Sequence, residues 1–214
     1  MIVFRHRKTG EAGYLSHIDA MRVLQRTMRR MRAEVKYSEG FVPHMLTYAT
    51  TPLPLGVQSV AEYFAADSPL TGEEELLKRF NACVPSGMRA DFCAVVGKNP
   101  NLAARVVASS YEVRAKETVS QDVLSVLEGR EYFMLRNKKG VLEEVEVRDK
   151  IFGIEIYGDR LLLTLATGND NLRVDSFVQS LSRFGVDACA SDVTRTEQFV
   201  SEGGKFVAAK EILV

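Results

Sequence analysis

The stretch Ile2-Val-Phe-Arg-His-Arg-Lys-Thr-Gly10 and the stretch Tyr14-Leu-Ser-His-Ile-Asp-Ala-Met-Arg22 carry the clearest structural signals in this 214-residue chain. Residues 2–7 are typical of a strand, which ends in a turn at Gly10. Ser16 and Asp19 have the N-cap and N3 spacing of a helix start. Apolar residues then recur at three- and four-residue steps, which predicts an amphipathic helix to about residue 32. This apolar stripe consists of Ile18, Met21, Leu24, Met28 and Met31.

The order of the predicted elements up to residue 97 suits a βαββαβ unit of ferredoxin-like type. After the first helix, a loop marked by Gly40 and Pro43 separates two short strand candidates. A longer strand, a second helix and a last strand follow. These five segments are residues 34–37, 46–50, 60–66, 73–83 and 88–96.

The second half of the chain is interpreted in the same way. Its predicted strands are residues 105–115, 131–135, 144–148, 161–167 and 188–199, and its predicted helices are 120–128 and 173–184. The predicted fold class is α+β, with two ferredoxin-like (βαββαβ-type) units, antiparallel sheets and helices on one face. We expect one domain at residues 1–97 and a second at 102–214, joined by the turn-rich link Gly97-Lys-Asn-Pro-Asn101.

Composition narrows the class of protein. The chain has 28 Lys and Arg against 28 Asp and Glu, so no long-range attraction to a polyanion is expected. No apolar run approaches the roughly 20 residues of a membrane span, and the N-terminus does not resemble a signal peptide. Three widely spaced cysteines are typical of a reduced protein. We therefore expect a cytoplasmic protein without a membrane contact.

Four arginines of the first predicted helix lie on one face. Residues 1–45 carry nine Lys and Arg against four Asp and Glu, a balance of +5. Planar guanidinium forks suit phosphates, and a local basic face acts within a Debye length of ~8–10 Å. A phosphate contact, most simply with RNA, competes with a solvated outer face and with a protein contact. At 100° per residue the face spans about 100° of arc, and its members are Arg22, Arg26, Arg29 and Arg30.

The loop Tyr37-Ser-Glu-Gly-Phe-Val-Pro-His44 concentrates polar and aromatic groups. Loops held by rigid elements often carry function. An exposed Tyr37 or Phe41 could stack on a base. The alternative is a structural loop in which Phe41 fills the core and Gly40 supplies a positive φ.

The three histidines are His6, His17 and His44. Convergence of the first strand, the helix start and the loop could form a general acid/base pair or a metal site. Their spacing matches no zinc pattern, so packed or capping histidines are the simpler interpretation. No metal and no cofactor are expected.

Together these motifs resemble the radical-SAM-linked protein family, also called the DUF2344 domain of unknown function. The specific part lies in the first 65 residues. In order, the matching segments are Phe4-Arg-His-Arg-Lys-Thr-Gly10, Tyr14-Leu-Ser-His-Ile-Asp-Ala-Met-Arg22, Arg26, Arg29-Arg30, Tyr37-Ser-Glu-Gly-Phe-Val-Pro-His44, Leu53-Pro-Leu-Gly56 and Ala61-Glu-Tyr63. Later segments that fit are Val145-Glu-Val-Arg148, Asn171-Leu-Arg173 and Thr194-Arg-Thr-Glu197.

The resemblance implies a link to a radical SAM protein. This chain lacks the CxxxCxxC motif, because its cysteines are 10 and 96 residues apart, so it would be the partner and not the radical SAM enzyme. It departs from the family at Val42 and Met45, where relatives carry Asn and Pro. Besides the four arginines, Tyr37 and Phe41, the family motifs place Ser16, His17, Asp19, Ser38, Glu39, Gly40, Pro43, His44, Gly56 and Glu62 among the site residues.

Three functions follow as hypotheses. The first is a non-catalytic partner of a radical SAM enzyme that binds or presents an RNA (tRNA or rRNA) substrate. The second, by analogy of fold, is a metal-independent ribonuclease with His17 or His44 as general base. The third is a protein–protein adaptor without RNA contact.

Overall fold

A computed structural model describes residues 1–138 and 141–214. The α-helices are α1 His17–Arg30, α2 Glu73–Cys83, α3 Leu102–Arg105, α4 Asp122–Leu127 and α5 Val174–Ser180. The strands are β1 Ile2–Lys8, β2 Thr47–Ala49, β3 Gln58–Ala66, β4 Ala90–Val95, β5 Val106–Arg114, β6 Phe133–Lys138, β7 Val141–Glu146, β8 Ile151–Tyr157, β9 Arg160–Ala166, β10 Val193–Glu202 and β11 Lys205–Ala208. No helix in the described ranges is long and apolar enough to cross a membrane.

Nine strands form one large sheet, and seven of them lie side by side in the order β4-β1-β3-β10-β5-β9-β8. The remaining two attach at the side, β2 on β3 and β11 on β10, while β6 and β7 form a separate hairpin. Neighbouring strands run antiparallel except β3 and β10, which pair in parallel. The predicted α+β class, with a largely antiparallel sheet and helices, is therefore confirmed.

The two halves of the sheet have the same internal order. In the first half the order is β4-β1-β3-β2, and in the second half it is β10-β5-β9-β8. If the strands of each half are numbered in chain order, without the β6–β7 hairpin and β11, both halves have the spatial order fourth, first, third, second. Among the residues that the structure describes, the only ladder between the halves is the short parallel pairing of Gln58 and Ser59 with Thr194 and Arg195. The halves therefore meet at β3 and β10.

Helix α1 begins as its sequence predicts. The Ser16 hydroxyl accepts the Asp19 backbone N–H at 3.1 Å and donates to the Asp19 carboxylate at 2.7 Å. Leu24 and Met28 are buried in a core with Phe4 of β1. Ile18 is exposed, so the predicted stripe starts one turn later than the sequence indicated.

Helices cover both faces of the first half of the sheet. Side chains of a strand alternate between faces. Phe4 of β1 stacks on Phe80 of α2 at 4.2 Å between ring centroids, on the side of α1 and α2. Val3 points to the opposite face, where Leu102 of α3 and Leu213 of the C-terminal turn pack. The prediction of helices on one face is therefore wrong for α3.

One strand prediction is wrong, and two strands of the structure have no counterpart in the sequence analysis. Residues 34–37 form no strand, only a single bridge from Tyr37 to Met45. Strands β8 and β11 were not predicted. In β8 the pairing register shifts between Ile151 and Gly153, and a glycine inside a strand weakens the alternation from which strands are recognised.

Candidate functional site

The loop between α1 and β2 is a small closed hairpin. Tyr37 bridges Met45, and the Ser38 N–H donates to the His44 carbonyl at 2.8 Å. The Ser38 hydroxyl accepts the His44 N–H at 3.1 Å and lies 2.7 Å from the His44 ring Nδ1. The pair Ser38–His44 therefore closes the neck, and the tip consists of residues 39–43.

The tip of this hairpin is exposed. Phe41 is fully exposed, and Val42 beside it is nearly so. Phe41 thus does not fill the core, which was the structural alternative for this loop. Gly40 has a φ of +115°, a conformation that side chains rarely adopt, and nothing lies near its Cα to block one. Glu39 and Pro43 are exposed as well.

The arginine face of α1 lies in solvent. Arg22 pairs with Asp19 at 3.1 Å. Within the described part of the chain, Arg26, Arg29 and Arg30 form no ion pair with a carboxylate. The pairing with Asp19 expected for a solvated face is present at Arg22, and the exposure of the other three arginines agrees with a solvated face as well as with a phosphate contact.

Neighbouring side chains hold α1 through groups outside the arginine face. The Arg79 guanidinium of α2 donates to the carbonyls of Met31 and Arg32, so it satisfies the C-terminal end of α1. Gln25 of α1 donates to the Thr47 hydroxyl at 3.0 Å, which holds the helix against β2. The hairpin leads directly into β2, so its neck is anchored next to the strand that contacts α1.

A second set of charged residues is buried where the halves meet. Arg195 of β10 donates through Nε to the Glu62 carboxylate of β3 at 3.1 Å, and its Nη2 also donates to that carboxylate. Nη2 donates to the Thr51 carbonyl at 3.0 Å. The side chain of Arg195 is 1% exposed and that of Glu62 is 13% exposed. This ion pair is therefore largely removed from water.

Two of the three histidines meet beside this pair. His6 and His17 line a cavity of about 30 Å³ together with Lys8 and Glu62. Such a volume holds little more than one water molecule. His44 is absent from its lining, because it closes the neck of the hairpin. The structure thus brings His6 and His17 together and leaves His44 apart.

Burial sets the ionisation of this cluster. Burial lowers the pKa of His6, and nearby Glu62 opposes this only in part. Burial also lowers the pKa of Lys8, whose Nζ donates to the Leu15 carbonyl at 2.9 Å. For Glu62 burial acts in the opposite direction, but the Arg195 guanidinium holds the pKa of that carboxyl below its usual value. The cluster therefore contains a neutral imidazole beside a fixed ion pair.

Gly56 has a structural role at the edge of this cluster. Its φ is +89°, and a Cβ there would lie 3.3 Å from the Ala190 Cβ. Its N–H donates to the Gly13 carbonyl at 3.1 Å, which ties the turn before α1 to the start of β3.

Sequence reasoning missed Arg195 and Lys8 as members of the cluster. Arg195 lies in the segment Thr194-Arg-Thr-Glu197, and Lys8 in the first motif. A usable signal existed, because both charged residues occur within otherwise half-buried strands. No group of three His, Cys, Asp or Glu in the described ranges could hold a metal ion.

The fold and this cluster define an α+β protein with two sheet halves joined at a buried ion pair. The sequence matches, over residues 2–175, the family described as "Uncharacterized protein conserved in bacteria (DUF2344)", and the chain belongs to that family. A search of curated proteins gives no match.

Two solved structures are similar in fold at low sequence identity. One is the "Crystal Structure of a Cbf5-Nop10-Gar1 Complex", with 14% identity and a TM-score of 0.47 over 92% of this chain. The other is the "Structure of H/ACA RNP bound to a substrate RNA containing 2'-deoxyuridine", with 14% identity and a TM-score of 0.49 over 100% of this chain. This chain spans about half the length of each matched chain, 48% and 50%.

The ion pair across β3 and β10 predicts a large loss of stability on Glu62→Gln. The amide cannot neutralise buried Arg195, and a charge left unpaired in the interior costs about 3–5 kcal/mol. Urea unfolding measures the loss. Glu112→Gln is the control, because Glu112 pairs with the more exposed Arg114 and Arg160, and such pairs contribute less than about 1 kcal/mol. Equal losses in the two variants would contradict a special role for the buried pair.

The lowered pKa of buried His6 predicts that the free energy of unfolding falls as the pH is lowered. The folded pKa lies below the ordinary 6.5, so the unfolded chain binds more protons as pH drops. The stability that neutral His6 contributes to the folded state is complete above pH 6.5 and is lost below it, at up to about 1.4 kcal/mol per pH unit. His6→Gln should flatten the dependence of the free energy of unfolding on pH between pH 5 and 6.5. A slope unchanged in His6→Gln would exclude His6 as its source.

Proposed function

We propose that the chain binds single-stranded RNA through the arginine face of α1 and the tip of the 38–44 hairpin. The observations that carry this proposal are the fully exposed Phe41 on a closed hairpin and three exposed arginines of α1 that form no ion pair with a carboxylate within the described residues. Single strands are commonly bound by a basic surface for the backbone and aromatic rings for the bases. The face would position the RNA without reading its sequence.

Side-chain chemistry favours a phosphate backbone as the ligand of the face. Arginine presents a fixed fork of donors that matches phosphate oxygens. Arg26, Arg29 and Arg30 also occupy the last turns of α1, where positive charge is favourable even without a ligand. The face therefore exists in the free protein and needs no rearrangement to meet an RNA strand.

We further propose how this activity fits the family. The chain would consist of two ferredoxin-like units, residues 1–97 and 102–214, because each half has the strand order of a βαββαβ unit. It would act in the cytoplasm as the non-catalytic partner that presents RNA to a radical SAM enzyme, as the family resemblance implies. The small volume beside His6 and His17 gives less support to a ribonuclease with His17 as general base, because it cannot admit a nucleotide, and His44 lies outside that cavity.

An adaptor function has its own supporting observation. Tyr14, Ile18 and Leu55 are exposed near the N-terminal end of α1. Exposed apolar side chains in proximity often belong to a protein contact. If this is their role, a complex with the radical SAM protein persists after ribonuclease treatment. A complex lost on that treatment would leave RNA as the bridge.

The arginine face predicts weaker and less salt-dependent RNA binding in the double variant Arg26→Ala/Arg29→Ala. Each lost phosphate contact on a single strand lowers the slope of log K against log salt by about 0.7. Fluorescence anisotropy with a labelled oligonucleotide, at several salt concentrations, measures both effects. Arg114→Ala/Arg160→Ala is the matched control, since it removes the same charge from exposed positions of β5 and β9. Slopes that fall equally would show a non-specific charge effect.

The hairpin tip predicts a separate loss of affinity on Phe41→Ala. Loss of one base–aromatic stack costs about 1–3 kcal/mol, which is roughly a 5- to 150-fold rise in Kd. The salt slope should stay unchanged, because no charge is removed. Val42→Ala at the neighbouring exposed position is the control. An equal effect of both substitutions would point to a general apolar contact and not to stacking.

A further inference from the structure

A larger cavity lies on the second side of the junction. Its volume is about 320 Å³, and it is open to solvent. That size is at the lower end of small-molecule sites, about 300–1,000 Å³. It lies between the segment after β2, strand β5, the segment before α5, and β10. The lining residues that matter here are Pro52, Pro54, Tyr111, Asn171, Arg173 and Arg195.

The two sides of this cavity differ in chemistry. Pro52, Leu53 and Pro54 supply rigid apolar surface from one segment. Polar groups come from the other elements, including the Asn171 amide and the Arg173 guanidinium. A flat ligand could pack against the prolines and direct its polar edge to the amide and the guanidinium. Tyr111 is buried at the base of the cavity and adds a ring.

Charges in the cavity are already balanced. Arg195 is paired with Glu62, and Arg173 is paired with Asp175 through two bonds, Nε at 3.1 Å and Nη2 at 2.6 Å. Two cations and two carboxylates sum to zero, so a free anion gains little attraction. Guanidinium groups can only donate, so the ligand must offer acceptors. A neutral planar ligand with carbonyl groups meets both conditions.

The Asn171 amide further restricts the class of ligand that fits the cavity. An amide both donates and accepts, and Asn171 is exposed at the opening. Within the described residues, Nη1 of Arg173 makes no hydrogen bond, so it can donate to a carbonyl. A ring with a carbonyl next to an N–H would satisfy both groups. Nucleobases of the uracil and hypoxanthine type carry that edge, whereas adenine has no carbonyl.

We propose that this cavity binds one carbonyl-bearing nucleobase. The base could belong to a free nucleoside or to an RNA strand, and only the second source rests on the proposed function. The segment 51–54 separates the cavity from the N-terminal part of α1, because Pro52 and Leu53 also line the small cavity with His17.

Titration of the 15N-labelled protein with nucleosides tests the proposal. Uridine and inosine should shift the amide signals of Asn171, Arg173 and Leu53 in a saturable way. Adenosine and inorganic phosphate should bind at least about tenfold more weakly, because one lacks the carbonyl and the other lacks the planar ring. Saturable binding of adenosine or phosphate with equal affinity would overturn the proposal, and so would the absence of saturable shifts with uridine and inosine.

Variants at the opening keep the test independent of folding. Asn171→Ala and Arg173→Ala change exposed side chains and leave the Glu62–Arg195 pair in place. Each should weaken uridine binding at least about fivefold. Arg160→Ala is the control, since it removes an exposed guanidinium outside the cavity. Unchanged uridine affinity in both variants would overturn the proposal.

A hexauridylate strand separates this proposal from the proposed function. If both hold, the strand binds tighter than uridine, and Arg26→Ala/Arg29→Ala removes most of the difference. If only the cavity binds, uridine and the strand have similar affinities, and the arginine variant changes neither. If only the face binds, the strand binds but uridine does not, and the cavity proposal is rejected.

Discussion

The ion pair between Glu62 and Arg195 is the constraint on which the rest of the structure depends. It links β3 to β10 at the short ladder where the two halves of the sheet meet. Two bridged positions of parallel pairing contribute little alone. The guanidinium adds bonds to the carboxylate and to the Thr51 carbonyl, so one side chain holds β3, β10 and the connecting segment together. Both cavities lie beside this point.

The exposed and buried charges follow different physical rules. Arg26, Arg29 and Arg30 stay hydrated, so they cost the fold little and remain free to exchange water for a ligand. Arg195 has lost its water and would destabilise the protein without Glu62. A buried ion pair is a poor source of stability compared with apolar packing, but it fixes the orientation of its two side chains. At this junction it directs the guanidinium of Arg195 to Glu62 and to the Thr51 carbonyl, which apolar packing could not do.

Local patterns were readable from the sequence, and contacts between distant segments were not. The Ser16–Asp19 cap, the residue range of α2 and the course of β1 follow from short spacings, and the structure contains them. The parallel pairing of β3 with β10 joins residues 58–59 to residues 194–195, and no local signal encodes it. The burial of Arg195 depends on that pairing. For Phe41 the sequence left an exposed and a core-filling position as alternatives, because the bonds of Ser38 and His44 that hold the neck of the hairpin without using its tip are not encoded in a local pattern.

The segment 51–54 connects the two surfaces in physical terms. Thr51 accepts from Arg195, and Pro52 and Leu53 line both the small cavity beside His17 and the large cavity beside Arg173. Prolines have a fixed φ, so this segment has few ways to relax when a neighbour moves. A ligand that displaces it by even a small distance must therefore act on the start of α1 and on the guanidinium of Arg195 together. The start of α1 and the cavity at the junction are in this sense linked through one rigid segment.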